Sequence, residues 1–169
     1  LFPYTTLFRS IEQAGNPREV FNRPTTPFVA RFIGGHNLIS ARVTGREGDV
    51  AELEDAAGRR FRVRAGEVAV GREIAFALRA DHLELAHAAA LKVAVGAETE
   101  PEAPPVNAID GTVSSVQYQG THVEVRLEAE GLEPLLATVP EATFYAAPFE
   151  IGAPARLAFA LGEAHVLHD

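Results

Sequence analysis

Cysteine, methionine and tryptophan are all absent from the 169 residues, and lysine occurs once, at Lys92. Without cysteine there is no disulfide framework and no thiolate chemistry. Long apolar runs are missing too: Arg, Glu, Asp or Gly interrupts every stretch well short of the ~20 residues that cross a bilayer. Any membrane association is therefore expected to be peripheral. The basic start, apolar centre and small-residue cleavage site of a secretory leader are not found, and a cytoplasmic setting is the expectation. Bases are scarce, 15 against 23 acids, for a formal net charge of −8. Such a surface repels phosphate backbones unless its bases cluster, so no nucleic-acid partner is expected. What remains is 47% hydrophobic and 22% charged, the composition of one soluble domain or two small ones.

The lack of methionine carries the expectation that the beginning of the protein is missing. Residues 1–10, Leu1-Phe2-Pro3-Tyr4-Thr5-Thr6-Leu7-Phe8-Arg9-Ser10, resemble one translated reading frame of a common sequencing adapter and are set aside from fold reasoning.

Two short helices are predicted next. Asn16 is placed to cap the first, with Pro17 at its first position and Pro24 as its stop. Thr25-Thr26-Pro27 opens the second, Phe28 to Ile33, which ends at Gly34-Gly35. Phe28 and Phe32, with either Val29 or Ile33, fall on one face. An isolated helix of six or seven residues is below the ~12 that are marginal in water, so it must pack on something, and the partner is expected upstream.

Glu12-Gln13, Gly15, Pro17, Glu19-Val20-Phe21, Pro24, Phe28-Val29-Ala30, Phe32-Ile33-Gly34 and Asn37-Leu38 together resemble the end of the nucleotide-binding domain in ATP-binding subunits of ABC importers, in the polyamine, iron and maltose branch. Gly111-Thr112-Val113-Ser114-Ser115-Val116-Gln117-Tyr118-Gln119-Gly120 resembles the G-x-V-x-x-V-x-Y-x-G entry of that family's transport-associated OB (TOBE) domain. The segment Leu78–Leu83 resembles its Arg-Pro-Glu strand end, with Ala80 and Asp81 in place of Pro and Glu. The resemblance implies the C-terminal regulatory and dimerisation region of such a subunit, of spermidine/putrescine type. Phe28, Phe32 and Ile33 would then dock on a missing ATPase domain. The implied partners are that domain, a second ATP-binding subunit and the membrane permease subunits, at the inner face of the cell membrane. ATP and magnesium would belong to the parent protein. No G-x-x-x-x-G-K-[ST] loop occurs here, and Lys92 follows Leu91 with no Gly-rich loop before it, so this chain is not expected to hydrolyse ATP.

Downstream, the sequence reads as short strands with close turn signals. The fold class expected is all-β, two small OB-like barrel lobes preceded by a short helical connector. The divisions are 11–36 for the end of the nucleotide-binding domain and connector, 37–95 for the first lobe, 96–106 for an acidic Pro-rich linker, and 107–169 for the second lobe. In the first lobe, pairing Leu53 with Phe61 and Ala51 with Val63 puts apolar residues on one face and sets Glu54 opposite Arg60 and Glu52 opposite Arg62 on the other. The stripe Arg60, Arg62 and Arg64 is then read as an ion-paired face rather than a phosphate track. Phe144, Tyr145 and Phe149 are read as closure of the second core.

No catalytic, cofactor or metal residue is assigned. Glu98, Glu100 and Glu102 lie in the linker and are read as solvated. His165 and His168 are three apart and would point to opposite faces of a strand. Ser114-Ser115 has no nucleophile elbow. The alternative reading is a stand-alone OB-type binding module for an oxyanion or small metabolite.

Overall fold

The computed structural model describes residues 11–87 and 107–167. The adapter-like segment, the linker with its glutamates, Lys92 and His168 lie outside the described residues. Both short helices form as read. Helix α1 (Pro17–Asn22) is capped by the Asn16 side chain, which accepts from the Glu19 amide, and α2 (Pro27–Ile33) by Thr26, which accepts from Val29. The Gly34 C-cap sits at φ 78°, a conformation that favours a residue without Cβ.

Ten strands follow. The first half supplies β1 (His36–Glu47), β2 (Val50–Glu54), β3 (Arg60–Arg64), β4 (Glu73–Arg79) and, after a 3-10 turn at Ala80–His82, β5 (Glu84–His87). The second supplies β6 (Asn107–Tyr118), β7 (His122–Glu128), β8 (Leu135–Pro140), helix α3 (Glu141–Ala146), β9 (Pro154–Phe159) and β10 (Ala164–Val166). The β2–β3 hairpin adopts the register its alternation and charge pattern predict: Ala51 faces Val63, Glu52 faces Arg62, Leu53 faces Phe61 and Glu54 faces Arg60.

The strand orders are β10-β4-β1-β2-β3 and β5-β9-β6-β7-β8. Each half thus lays down the same four-strand order and gives its fifth strand to the other sheet. The halves correspond at a spacing of 70 residues along their first strands. Asn37, Ile39 and Val43 match Asn107, Ile109 and Val113, and a bulge follows each valine, between Val43 and Gly45 and between Val113 and Ser115. Beside each bulge a glycine of left-handed φ closes the turn: Gly71 (φ 88°) donates to the Val43 carbonyl and Gly152 (φ 87°) to that of Val113, both at 2.8 Å.

The expectation of two OB-like barrels is overturned. Among the described residues neither sheet closes: one is curled and half closed, the other open. A barrel requires its end strands to hydrogen-bond around the ring. Here β3 and β10, the ends of the first sheet, approach without pairing. The fifth strands, three and four residues long, are committed across the molecule. In place of a closing strand, asparagine side chains meet two edges. Asn107 accepts from the Arg62 amide (2.7 Å) and donates to the Arg62 carbonyl (2.8 Å), which fastens the edge of β3. Asn37 does the same to Leu136 on β8, accepting at 2.6 Å and donating at 2.8 Å. Both asparagines are buried, as their doubly bonded amides allow.

The inward faces of the two sheets share one apolar core. Phe61 and Phe76 from the first sheet and Phe159 from the second sit with ring centroids 5.8 to 6.2 Å apart. A smaller cluster of Ala30, Ala77 and Leu167, flanked by Leu38 and Ala75, joins α2 to the outer face of the first sheet.

Candidate functional site

Helix α2 turns two faces in opposite directions. Val29 and Ala30 are buried, and Ala30 meets Ala77 and Leu167. Phe28 and Phe32 point away, 61% and 81% exposed, their rings stacked on each other at 6.2 Å and 13°. Ile33 is half-buried beside them. Of the three predicted docking residues, the two phenylalanines form one exposed apolar patch on a helix held down by its small side chains. Arg31 spans from α2 to Glu133 of the β7–β8 loop at 2.7 Å, a pair exposed enough to orient the helix more than to stabilise it.

Arg79, at the end of β4, ties α1 to the sheet. It donates to both carboxylate oxygens of Asp81 (3.0 and 2.6 Å) and to the Asn22 side chain (2.6 Å), and its guanidinium lies 5.0 Å from the Phe21 ring centroid. Burial pushes the Asp81 carboxyl up. The hydrogen bonds and charge of Arg79 outweigh it, with help from a backbone bond and His82, so its pKa lies below the ordinary value. On the second sheet, the paired hydrogen bond from Arg156 likewise lowers Asp110 and raises Arg156.

The arginine stripe of β3 is ion-paired, with one change of partner. Arg60 meets Glu54 at 3.5 Å and Arg64 meets Asp49 at 3.9 Å, but Arg62 bonds Glu47 at 3.2 Å rather than the facing Glu52. Phe144 and Phe149 are buried as core closure, whereas Tyr145 is 61% exposed and stacks with Tyr118 at 6.3 Å. Among the described residues no group of three or more His, Cys, Asp or Glu is arranged to hold a metal ion. No helix among them is long and apolar enough to cross a membrane.

The sequence reading missed a cleft of about 460 Å³ at the same end of the first sheet, lined by Arg18, Arg23, His36, Arg79, His82 and Glu163 among others. Its members come from four separate stretches of chain, and no local spacing marks them as neighbours.

The architecture is thus a two-sheet β module that carries two short helices ahead of its first strand. The match of residues 76–167 to the TOBE domain model covers more than half of the chain, and the chain belongs to that family. It is 31% identical over 160 residues to the spermidine/putrescine import ATP-binding protein PotA 1 of Pseudomonas aeruginosa, an alignment taking in 94% of this chain and 39% of the relative. The Fe(3+) ions import ATP-binding protein FbpC of Streptomyces coelicolor is 31% identical over 157 residues, 93% of this chain and 37% of that protein. The chain thus spans less than two fifths of either relative. Among solved structures, the cytoplasmic molybdate-binding protein ModG, with molybdate bound, superposes with a TM-score of 0.64 at 17% identity, over 79% of this chain and 96% of that one. That likeness is one of fold. The family read from residues 12–38 and 111–120 is therefore the family found: the chain is a TOBE-domain region related to ATP-binding subunits of ABC importers.

Proposed function

We propose that this chain is the C-terminal regulatory and subunit-pairing region of an ABC importer's ATP-binding subunit, of the spermidine/putrescine type. Residues 11–36 form its connector from the nucleotide-binding domain. The observation that carries the reading is the stacked Phe28–Phe32 pair, exposed on a seven-residue helix whose opposite face is already buried. The helix already has its packing partner in the first sheet, so the outward apolar patch fits a further neighbour. The neighbour proposed is the ATPase domain, with Ile33 at the rim of the contact. Identity to PotA-type and FbpC-type subunits over nearly the whole chain supports the same reading. A second subunit and the permease would complete the complex at the inner face of the cell membrane, and the ATP and magnesium would be held upstream.

Two measurements test this. Sequencing the native gene upstream of Ile11 is expected to show an in-frame P-loop and a magnesium-site aspartate; a stop codon or an unrelated domain refutes it. The double substitution F28S/F32S is expected to leave the stability of this chain within about 0.5 kcal/mol, as befits exposed residues. A loss well above that would mean the rings pack on their own chain and are not a docking surface.

A further inference from the structure

We propose that the basic cleft between α1 and the end of the first sheet binds a phosphate-class oxyanion. The chain carries −8 overall, yet the cleft gathers Arg18, Arg23 and Arg79 with three of the six histidines, His36, His82 and His165. The carboxylates around it are engaged locally: Glu163 by His82, Asp81 by Arg79, and Glu19, next to Arg18 on α1, by the Asn16 side chain. Among the described residues the guanidinium groups of Arg18 and Arg23 have no hydrogen-bond or ion-pair partner, and both residues are exposed at the rim. They therefore keep their donors for a ligand at small desolvation cost.

His36 adds a directional element. Its Nδ1 lies 2.9 Å from the Gly34 carbonyl, which can only accept, so Nδ1 carries the hydrogen. Its Nε2 is buried without a hydrogen-bond partner. In the neutral ring that nitrogen is an unfilled acceptor. In the imidazolium form both ring nitrogens donate, and Nε2 can then give a hydrogen bond to an anion in the cleft. A cleft of about 460 Å³ has room for more than one tetrahedral oxyanion group. Two free guanidiniums match the several oxygens of phosphate or pyrophosphate better than a single carboxylate. Arg79, neutralised by Asp81 and held by Asn22, forms a fixed wall of the cleft, so the charge offered to the ligand comes from Arg18 and Arg23. The site lies on this chain alone and does not depend on the docking reading.

The test is isothermal titration of the 169-residue chain with sodium pyrophosphate and, separately, inorganic phosphate, against sodium chloride at matched ionic strength. Saturable binding of pyrophosphate, and of phosphate more weakly, is expected. R18A/R23A should weaken it at least about ten-fold, since each charge-assisted bond lost is worth about that much. R60A/R64A, on the exposed stripe of β3, should leave it unchanged. Both pairs are surface substitutions, and circular dichroism will verify the fold. Absence of saturable binding, an unaltered affinity in R18A/R23A, or an equal loss in R60A/R64A would each overturn the proposal, the last by showing only general attraction to positive charge.

Discussion

Replacing Asn107 by alanine probes the joint that stands where a barrel would close. The Asn107 amide is the partner of both the amide and the carbonyl of Arg62, and these bonds hold the edge of β3 against the start of β6. Alanine removes two hydrogen bonds worth about 1 kcal/mol each, and it leaves two partly buried backbone groups to find water or go unpaired, at about 1–3 kcal/mol each when they cannot. Because Asn107 is only 5% exposed, rehydration is restricted and a net loss of about 2–4 kcal/mol is expected. For a chain of this size that lowers Tm by roughly 4–16 °C. Urea unfolding followed by far-UV circular dichroism measures it. Asn37→Ala, which breaks the matching pair of bonds to Leu136, should cost a similar amount. A loss below about 0.5 kcal/mol for N107A, with unchanged m-value, would refute the argument that these side chains take the place of a closing strand.

A Cβ built on Gly111 lies 2.6 Å from the Glu128 carbonyl oxygen, so Gly111→Ala should force the strands apart and cost about 1–3 kcal/mol in the same assay. Leu167→Asp puts a carboxylate into the small cluster that holds α2; limited trypsin digestion is expected to cut after Arg31, within that helix, sooner, and unchanged cleavage would show that the cluster does not anchor the helix. Asp81 and Asp110 have lowered folded-state pKa values, so each contributes stability that is present above the ordinary carboxylate value of about 4 and is lost as the pH falls through its folded value. Acid unfolding of Asp110→Asn should accordingly be less steep than that of the parent below about pH 4, and identical acid limbs would count against the Arg156 pairing.

The local features were legible. The hairpin from Val50 to Arg64 has its register written twice, in apolar and in charged alternation, and Asn16-Pro17 and Thr26-Pro27 mark helix starts by capping chemistry alone. Sheet closure was not, because it turns on which distant strand β5 and β10 choose. At four and three residues, neither carries enough alternation to reveal a partner. Arg62 shows the same limit at the level of one side chain: opposite Glu52 in register, its flexible arm reaches Glu47 instead. A signal did exist for the duplication. Asn-x-Ile-x-x-x-Val recurs from Asn37 to Val43 and from Asn107 to Val113, and comparing the chain with itself at that offset would have paired the two buried asparagines. Phe28 and Phe32 do share one face of α2, while Val29, one of the two residues read beside them, lies on the buried side. That the helix sits on the sheet by Val29 and Ala30, leaving those rings outward, required knowing where Ala77 and Leu167 would be.

The traded fifth strands also bear on how the chain is made. A sheet begun at His36 gains its last strand only at Val166, so a polypeptide emerging from the ribosome in order must hold the early half unfinished until nearly all of the later half has been synthesised. Until then the edge of β4 that awaits Ala164 is bare, and the nascent chain is most open to pairing with a neighbour during that interval.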